Sequence, residues 1–136
     1  MFDLNSRVLI VDDMMTMRKI VGKVCRELGV TDITEAADGA LAWQTISTAE
    51  KPFGIVISDW NMPNCTGLDL LKRVRGDKRF AQLPFLLVTA EAEKHQIVEA
   101  LTTGVSGYII KPFAPDTLKQ KLEEAHQKFV TTLKAG

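Results

Sequence analysis

The sequence predicts a doubly wound α/β fold built on a five-stranded parallel sheet, and three observations lead to that prediction. Short runs of β-branched and other apolar residues alternate with segments whose apolar residues recur at helical spacing. The central run (Ile55, Val56, Ile57) is apolar at consecutive positions, as expected of a strand buried on both faces. The connections are short and contain no low-complexity linker, which favours one domain with a sheet covered by helices on both sides.

Each element follows from a local pattern and its boundary residues. The predicted strands are residues 7–11, 33–36, 55–57, 85–88 and 107–110. The five predicted helices lie between them, with the fourth over residues 94–103 and the last beginning near Pro115. Thr16 is a candidate N-cap of the first helix, and glycines follow the first and fourth helices. Trp43 and Ile46 are expected on the buried side of the second helix.

Composition places the chain among globular proteins and excludes several function classes. Of 136 residues, 46% are hydrophobic and 25% are charged, which is enough apolar material for a core. The 17 basic and 17 acidic residues cancel, so we expect neither a nucleic acid nor a membrane surface as partner. The sequence shows no signal peptide and no membrane span, and two distant cysteines suggest reduced thiols, so we expect a cytoplasmic protein.

Polar residues follow four of the predicted strands, at the point where each strand ends. They are two adjacent acids after the first strand, Asp59 after the third, Thr89 after the fourth and Lys111 after the fifth. A lone aspartate there is ordinarily a turn or helix cap. The carboxyl ends of parallel strands share one edge, however, and ligands bind at that edge. The joint pattern therefore predicts a functional site.

The three acids predict a magnesium site. Crowded carboxylates repel one another, so the edge needs a cation, and oxygen ligands suit Mg²⁺. We expect Asp13 and Asp59 to be direct ligands and the backbone carbonyl of Asn61 to be a third. Asp12 is expected to hold a water of the ion from the second shell.

The same edge favours phosphoryl transfer to Asp59. Aspartate is a known nucleophile towards phosphorus, and the reaction requires neutralisation of the phosphoryl oxygens. Lys111 and the Thr89 hydroxyl can each meet one of those oxygens. The sequence contains no P-loop and no glycine-rich dinucleotide motif, so a nucleotide donor is not expected. The two histidines, His95 and His126, lie on predicted helices and are not placed to carry the phosphoryl group.

Four segments resemble response-regulator receiver domains, above all the stand-alone receivers of chemotaxis. The resemblance runs from about residue 7 to residue 133, and its motifs are residues 11–13, 58–64, 88–92 and 106–113. It implies a flavodoxin-like (β/α)5 fold with strand order 2-1-3-4-5, and a single receiver domain over residues 1–136 without an output domain. It also implies that the chain is not an enzyme in the ordinary sense, since it catalyses only its own phosphorylation and dephosphorylation.

The resemblance also implies roles and partners. A histidine kinase would phosphorylate Asp59, with Asp12, Asp13 and Asn61 building the magnesium site. Thr89 and Lys111 would sense the phosphoryl group, and Tyr108 would be an aromatic switch. Asn61 and Glu91 would tune hydrolysis. The expected target is a flagellar motor switch protein, bound on the face of helix 4, strand 5 and helix 5 that carries Lys94 and Lys119. A phosphatase is a further expected partner, and the chain is expected to be a monomer.

Two features depart from the pattern or leave the function open. Cys65 and Thr66 stand where chemotaxis receivers usually carry a methionine and an acid, so Cys65 modification is a hypothesis for impeding phosphorylation. A phosphate shuttle or sink is an alternative function. A flavodoxin-like FMN enzyme is a further alternative, disfavoured because an acidic edge repels a flavin phosphate. Trp60 is either an ordinary surface aromatic or, beside Asp59, a reporter of metal binding.

Overall fold

The computed structural model describes residues 7–63, 65–90, 94–111 and 113–135, with side chains described for all of these except 94, 95 and 128–135. Its strands are β1 Val8–Val11, β2 Ile33–Ala36, β3 Ile55–Asp59, β4 Phe85–Thr89 and β5 Gly107–Ile110. Its helices are α1 Met15–Glu27, α2 Gly39–Thr48, α3 Gly67–Gly76, α4 Lys94–Thr103 and α5 Pro115–Ala135, with a 3₁₀ turn at Lys78–Phe80.

The five strands form one parallel sheet in the order β2-β1-β3-β4-β5. This confirms the doubly wound fold and the strand order that the resemblance implied. β1, β3 and β4 are buried at every position, as consecutive apolar residues predict. Successive side chains along these strands point to opposite faces, so each strand supplies both cores.

Helices cover both faces of the sheet. On one face, Leu9, Val56 and Leu87 join a core with α2, α3 and α4. On the other, Ile10 and Ile57 join a core with α1 and α5. The helical residues buried in these cores include Ala42, Ile46, Leu71, Val74 and Ala100 on the first face and Val21, Val24, Leu118 and Leu122 on the second. Within the described residues, no helix is both long enough and apolar enough to cross a bilayer.

The helix boundaries confirm the predicted glycines after α1 and α4, and they add two side-chain caps that were not predicted. Gly29 and Gly104 follow α1 and α4 at φ values of 100° and 101°, a left-handed conformation that glycine adopts without strain. Asp38 caps α2 by accepting from the backbone N–H of Leu41. Thr66 and Asp69 form a reciprocal capping box at the start of α3.

One sequence prediction needs correction, and one short element was not predicted. Thr16 is not the N-cap of α1, because the helix begins at Met15 and the Asp12 carboxylate accepts from the backbone N–H of Met14 just before it. Trp43 lies on the buried side of α2 as predicted: it is half-buried and packs against the core, with its ring edge-to-face on Phe80. The 3₁₀ turn was not predicted, since the Asp77 carboxylate that caps it by accepting from Arg79 N–H reads in sequence as an ordinary loop acid.

Candidate functional site

The sheet brings the predicted polar residues to one edge. Asp59 and Thr89 end adjacent strands, and Asp12 and Lys111 immediately follow β1 and β5. Backbone hydrogen bonds continue past the strands, from Lys111 N–H to the Thr89 carbonyl at 2.8 Å and from Asp12 N–H to the Ala36 carbonyl at 3.2 Å. These residues are therefore fixed by the sheet itself rather than by loops, as a preorganised site requires.

Three carboxylates converge at this edge. One oxygen from each of Asp12, Asp13 and Asp59 lies within 4.8 Å of the other two. Asp12 and Asp59 are buried, whereas Asp13 is exposed at the opening. An all-oxygen donor set, open on one side, suits a hard divalent cation that keeps some of its waters. The donor chemistry therefore fits the predicted Mg²⁺.

Lys111 completes the cluster from the far side. Its ammonium lies 3.1 Å from Asp59 Oδ1, to which it donates, and 3.6 Å from Asp12 Oδ2. One ammonium offsets only part of the charge of three carboxylates. The remaining negative charge favours a metal ion at the open side.

The two buried acids are held at a cost in free energy when no cation is bound. Burial raises the pKa of Asp59, while the hydrogen bond and charge of Lys111 act in the opposite direction. Burial likewise raises the pKa of Asp12, against the backbone hydrogen bond from Met14. The neighbouring carboxylates add to both increases, because ionised acids repel. A bound cation would relieve both desolvation and repulsion.

Close backbone packing explains why α3 begins with glycine beneath the site. A Cβ atom on Gly67 would overlap the carbonyl oxygen of Asp59. Gly67 N–H also donates to the Trp60 carbonyl at 2.9 Å. Trp60 is buried against the core, so its interpretation as an ordinary surface aromatic was wrong. Its role as a reporter of metal binding remains a prediction.

The remaining predicted residues occupy different positions. Thr89 is buried at the end of β4, and Asn61 is exposed on the loop after β3. Tyr108 is half-buried on β5, with Lys121 Nζ 5.8 Å from its ring centroid. Lys119 is exposed on α5. Glu91 and the side chains of Lys94 and His95 lie outside what the structure describes, so the roles expected of them stay predictions.

Neither cysteine is in a disulfide. Cys25 of α1 is fully buried in the core, and burial raises its thiol pKa to about 12. Cys65 is half-buried on the loop before α3, where burial raises its pKa as well. Its side chain packs so closely on Gly39 that a Cβ there would overlap it. Both thiols are therefore poor nucleophiles near neutral pH.

Sequence reasoning missed a second layer around the acids. The Arg18 guanidinium donates from Nη1 to the backbone carbonyl of Asp12 at 2.6 Å and from Nε to Glu35 Oε1 at 3.2 Å. Lys19 also donates to Glu35, at 2.9 Å. The sequence signal was an acid inside the short strand β2, where a charged residue needs a partner.

Comparisons with known proteins agree with this geometry. Residues 8–123 match the response regulator receiver domain family. The chain is 46% identical over 122 residues to chemotaxis protein CheY of Pseudomonas aeruginosa, covering 90% of this chain and 97% of that protein. It is also 46% identical over 124 residues to chemotaxis protein CheY-3 of Vibrio cholerae, covering 91% and 94%. The solved structure of Vibrio cholerae chemotaxis protein CheY4 aligns with a TM-score of 0.81 at 33% identity, covering 89% of this chain and 98% of that one.

Proposed function

This chain belongs to the response regulator receiver domain family, and from that premise we propose that it is a phosphorylation-operated switch in chemotaxis signalling. Two relatives that it matches over most of its length are named chemotaxis proteins, which supports this assignment. The proposed phosphodonor is a CheA-like histidine kinase, and the proposed target is a FliM-like flagellar motor switch protein. A phosphatase is a further proposed partner. The protein acts as a monomeric, cytoplasmic receiver and catalyses only its own phosphorylation and dephosphorylation.

The contact between Lys111 and Asp59 inside the acid cluster carries the proposal. Asp59 Oδ1 accepts from the ammonium, so Oδ2 is the oxygen that attacks phosphorus. The new Oδ2–phosphorus bond forms as the bond between phosphorus and the donor's imidazole nitrogen breaks, and that nitrogen keeps the electron pair. Lys111 and Thr89 then hold phosphoryl oxygens from two neighbouring strands.

The metal would be held by the residues that the donor chemistry favours. Asp13, Asp59 and the Asn61 carbonyl are the proposed ligands, with Asp12 behind them. When bound, Mg²⁺ supplies positive charge to the phosphoryl oxygens. Asn61 and Glu91 are proposed to limit the access of water to the acyl phosphate and so to set its lifetime.

The output would be read on the face formed by α4, β5 and α5. Thr89 ends β4, which pairs with β5. A movement of Thr89 towards the phosphoryl group can therefore change the position of Tyr108 on β5. Val98, Leu101 and Ile110 are large apolar side chains exposed on α4 and β5, which suits a protein target. A phosphate shuttle would not need such a face, so the switch is favoured over the shuttle. The acidic edge disfavours an FMN enzyme.

Labelling with acetyl phosphate tests the nucleophile. With Mg²⁺, we expect one phosphoryl group per chain, mapped to Asp59 by mass spectrometry after trapping of the acyl phosphate. Asp59→Asn should abolish labelling, and EDTA should do the same for the wild type. Asp116→Asn, which removes an exposed acid on α5, is the matched control and should label normally. Persistent labelling of Asp59→Asn at another residue would refute the assignment.

Target binding tests the switch. Lys111→Ala should still accept some phosphoryl groups but should lose the increase in affinity for a motor switch peptide that labelling causes in the wild type. Lys119→Ala, on the proposed docking face, should label normally and bind the peptide more weakly in both states. If the labelled wild type binds no better than the unlabelled protein, the shuttle replaces the switch.

A further inference from the structure

The Arg18 side chain connects the acid site to strand β2. Its Nη1 donates to the backbone carbonyl of Asp12 at 2.6 Å, and its Nε donates to Glu35 Oε1 at 3.2 Å. Only 15% of the Arg18 side chain and 25% of the Glu35 side chain are exposed. A planar guanidinium with two fixed acceptors has little freedom to rotate, so this bridge is rigid.

The carbonyl that Arg18 contacts belongs to the peptide group joining Asp12 to Asp13. The other polar groups of Asp12 are also in contact: N–H with the Ala36 carbonyl, Oδ1 with Met14 N–H, and Oδ2 near Lys111. Rotation of the Asp12–Asp13 peptide would therefore redirect the Asp13 carboxylate, while the Asp12 carboxylate stays held by its own contacts. Arg18 fixes the one group that these other contacts leave free to turn.

Glu35 gives the guanidinium a fixed anchor. It lies on β2 opposite Ile10 of β1, so its backbone position is set by the sheet. Its hydrogen bond from Lys19 is the largest influence that lowers the pKa of Glu35, with Arg18 contributing in the same direction. Glu35 is therefore ionised near neutral pH and remains a charged partner for Arg18.

We propose that Arg18, anchored by Glu35, is a positioning residue of the metal site. Among the described contacts, Arg18 meets the site only through the Asp12 backbone carbonyl and not through the side chains of Asp12, Asp13 or Asp59. It orients the Asp12–Asp13 peptide so that the exposed Asp13 carboxylate meets that of Asp59. This inference rests on the proposed function, because it takes the cation of the site to be Mg²⁺.

A Lys19 variant distinguishes a positioning role of Arg18 from a general effect of its positive charge. Its ammonium contacts the same Glu35 carboxylate, from a more exposed position on the same helix, but no described contact joins it to Asp12. Removal of Lys19 takes one positive charge from the neighbourhood and leaves the carbonyl contact intact. Removal of Arg18 takes away the same charge together with that contact. The two variants are therefore matched in charge and differ in geometry.

The experiment measures the Mg²⁺ dissociation constant by titration of Trp60 emission in a Trp43→Phe background, with calorimetry as a second readout. Arg18→Met should raise the constant about tenfold, as expected when a supporting hydrogen bond behind a ligand is lost. Lys19→Met should change it less than about twofold. Glu35→Ala should raise it by less than Arg18→Met does, and the double variant should match Arg18→Met alone, because the two residues act as one unit. Arg18→Lys keeps the positive charge but loses the planar guanidinium that contacts two acceptors. Its Mg²⁺ affinity should therefore lie between those of Arg18→Met and the wild type.

Stability in EDTA distinguishes positioning from a structural clamp. A clamp alone would lower the unfolding midpoint of Arg18→Met and leave its Mg²⁺ constant unchanged, which overturns the inference. Equal weakening by Lys19→Met would also overturn it, since charge would then explain the effect. If Arg18→Met does not fold, Glu35→Ala and Arg18→Lys carry the same comparison. If the wild type itself neither binds Mg²⁺ nor accepts phosphate, the proposed function fails; wild-type binding with an unchanged Arg18→Met constant defeats only this inference.

Discussion

The acid edge and the Arg75 side chain both hold charge partly or fully away from water, and they satisfy that charge differently. At the end of the sheet opposite the acids, Arg75 of α3 donates to three backbone carbonyls, those of Gly104 at 2.9 Å, Phe80 at 3.2 Å and Leu83 at 2.7 Å. Burial lowers the pKa of Arg75, but neutral acceptors satisfy its guanidinium. These contacts join the ends of α3 and α4 to the loop before β4.

The acid edge is left incomplete by comparison. Asp12 and Asp59 are buried beside each other, and the contact with Lys111 does not balance their charge together with that of Asp13. Burial raises the pKa of both buried acids, so each ionised form is disfavoured in the fold. The charge of Arg75 is met by backbone carbonyls of the protein itself, whereas the charge of the acid edge is left to be balanced by a ligand. The contrast makes separate predictions for stability and for metal binding.

Arg75→Met should have the largest effect on stability. It leaves three carbonyls without their charged donor, and we expect the free energy of unfolding to fall by about 3 kcal/mol. The Mg²⁺ dissociation constant should not change, because Arg75 lies at the far end of the sheet. Urea unfolding in EDTA and metal titration measure the two quantities. Arg73→Met, an exposed neighbour on α3, is the control and should change stability by less than about 0.5 kcal/mol. Weakened metal binding in Arg75→Met would show that the two ends are coupled.

Gly67→Ala should lower both stability and metal affinity, because it disturbs the backbone that carries Asp59. Its Cβ would overlap the Asp59 carbonyl, so the start of α3 must shift. We expect a loss of about 2 kcal/mol in stability together with weaker Mg²⁺ binding. Gly76→Ala, at the other end of α3, is a matched control because a Cβ there meets nothing within 4 Å. Gly76→Ala should be neutral or slightly stabilising. Unchanged metal affinity in Gly67→Ala would contradict the prediction.

Asp59→Asn should change stability in the opposite direction. It removes one of two repelling buried carboxylates, so the metal-free protein should gain about 1 kcal/mol while losing phosphorylation. The pH dependence follows from the sign of the shifts. A raised pKa means that the folded state binds more protons than the unfolded state, so these groups lower stability as pH rises through their folded pKa values. Unfolding in EDTA from acid to neutral pH should show a smaller fall for Asp59→Asn than for the wild type. An identical pH profile would contradict the assignment of repulsion to Asp59.

The edge of acids was predictable from sequence, because the ends of parallel strands must converge. A run of three apolar residues, followed after Ser58 by Asp59, was therefore enough to place this proposed nucleophile at the edge. The Arg18–Glu35 bridge was not predictable, because these residues are 17 positions apart and meet only when α1 lies against β2. The Thr16 prediction failed for the same reason. The side chain of Asp12, which is part of the acid site, accepts from the backbone N–H of Met14 at the start of α1. Where the prediction from local sequence failed, a tertiary contact determined the structure instead.

Alkylation of Cys65 should have the smallest effect. It measures how strongly the loop before α3 affects phosphorylation of Asp59. Only the thiolate reacts with iodoacetamide, and burial raises the pKa of Cys65, so modification should be slow near neutral pH. Cys25 is fully buried and should not react at all. The added group must move away from Gly39 and the start of α2, so we expect the rate of labelling by acetyl phosphate to fall about twofold. Cys65→Ala, treated with the same reagent, is the control and should keep its rate. Equal rates before and after modification of the wild type would mean that this loop contact does not influence Asp59.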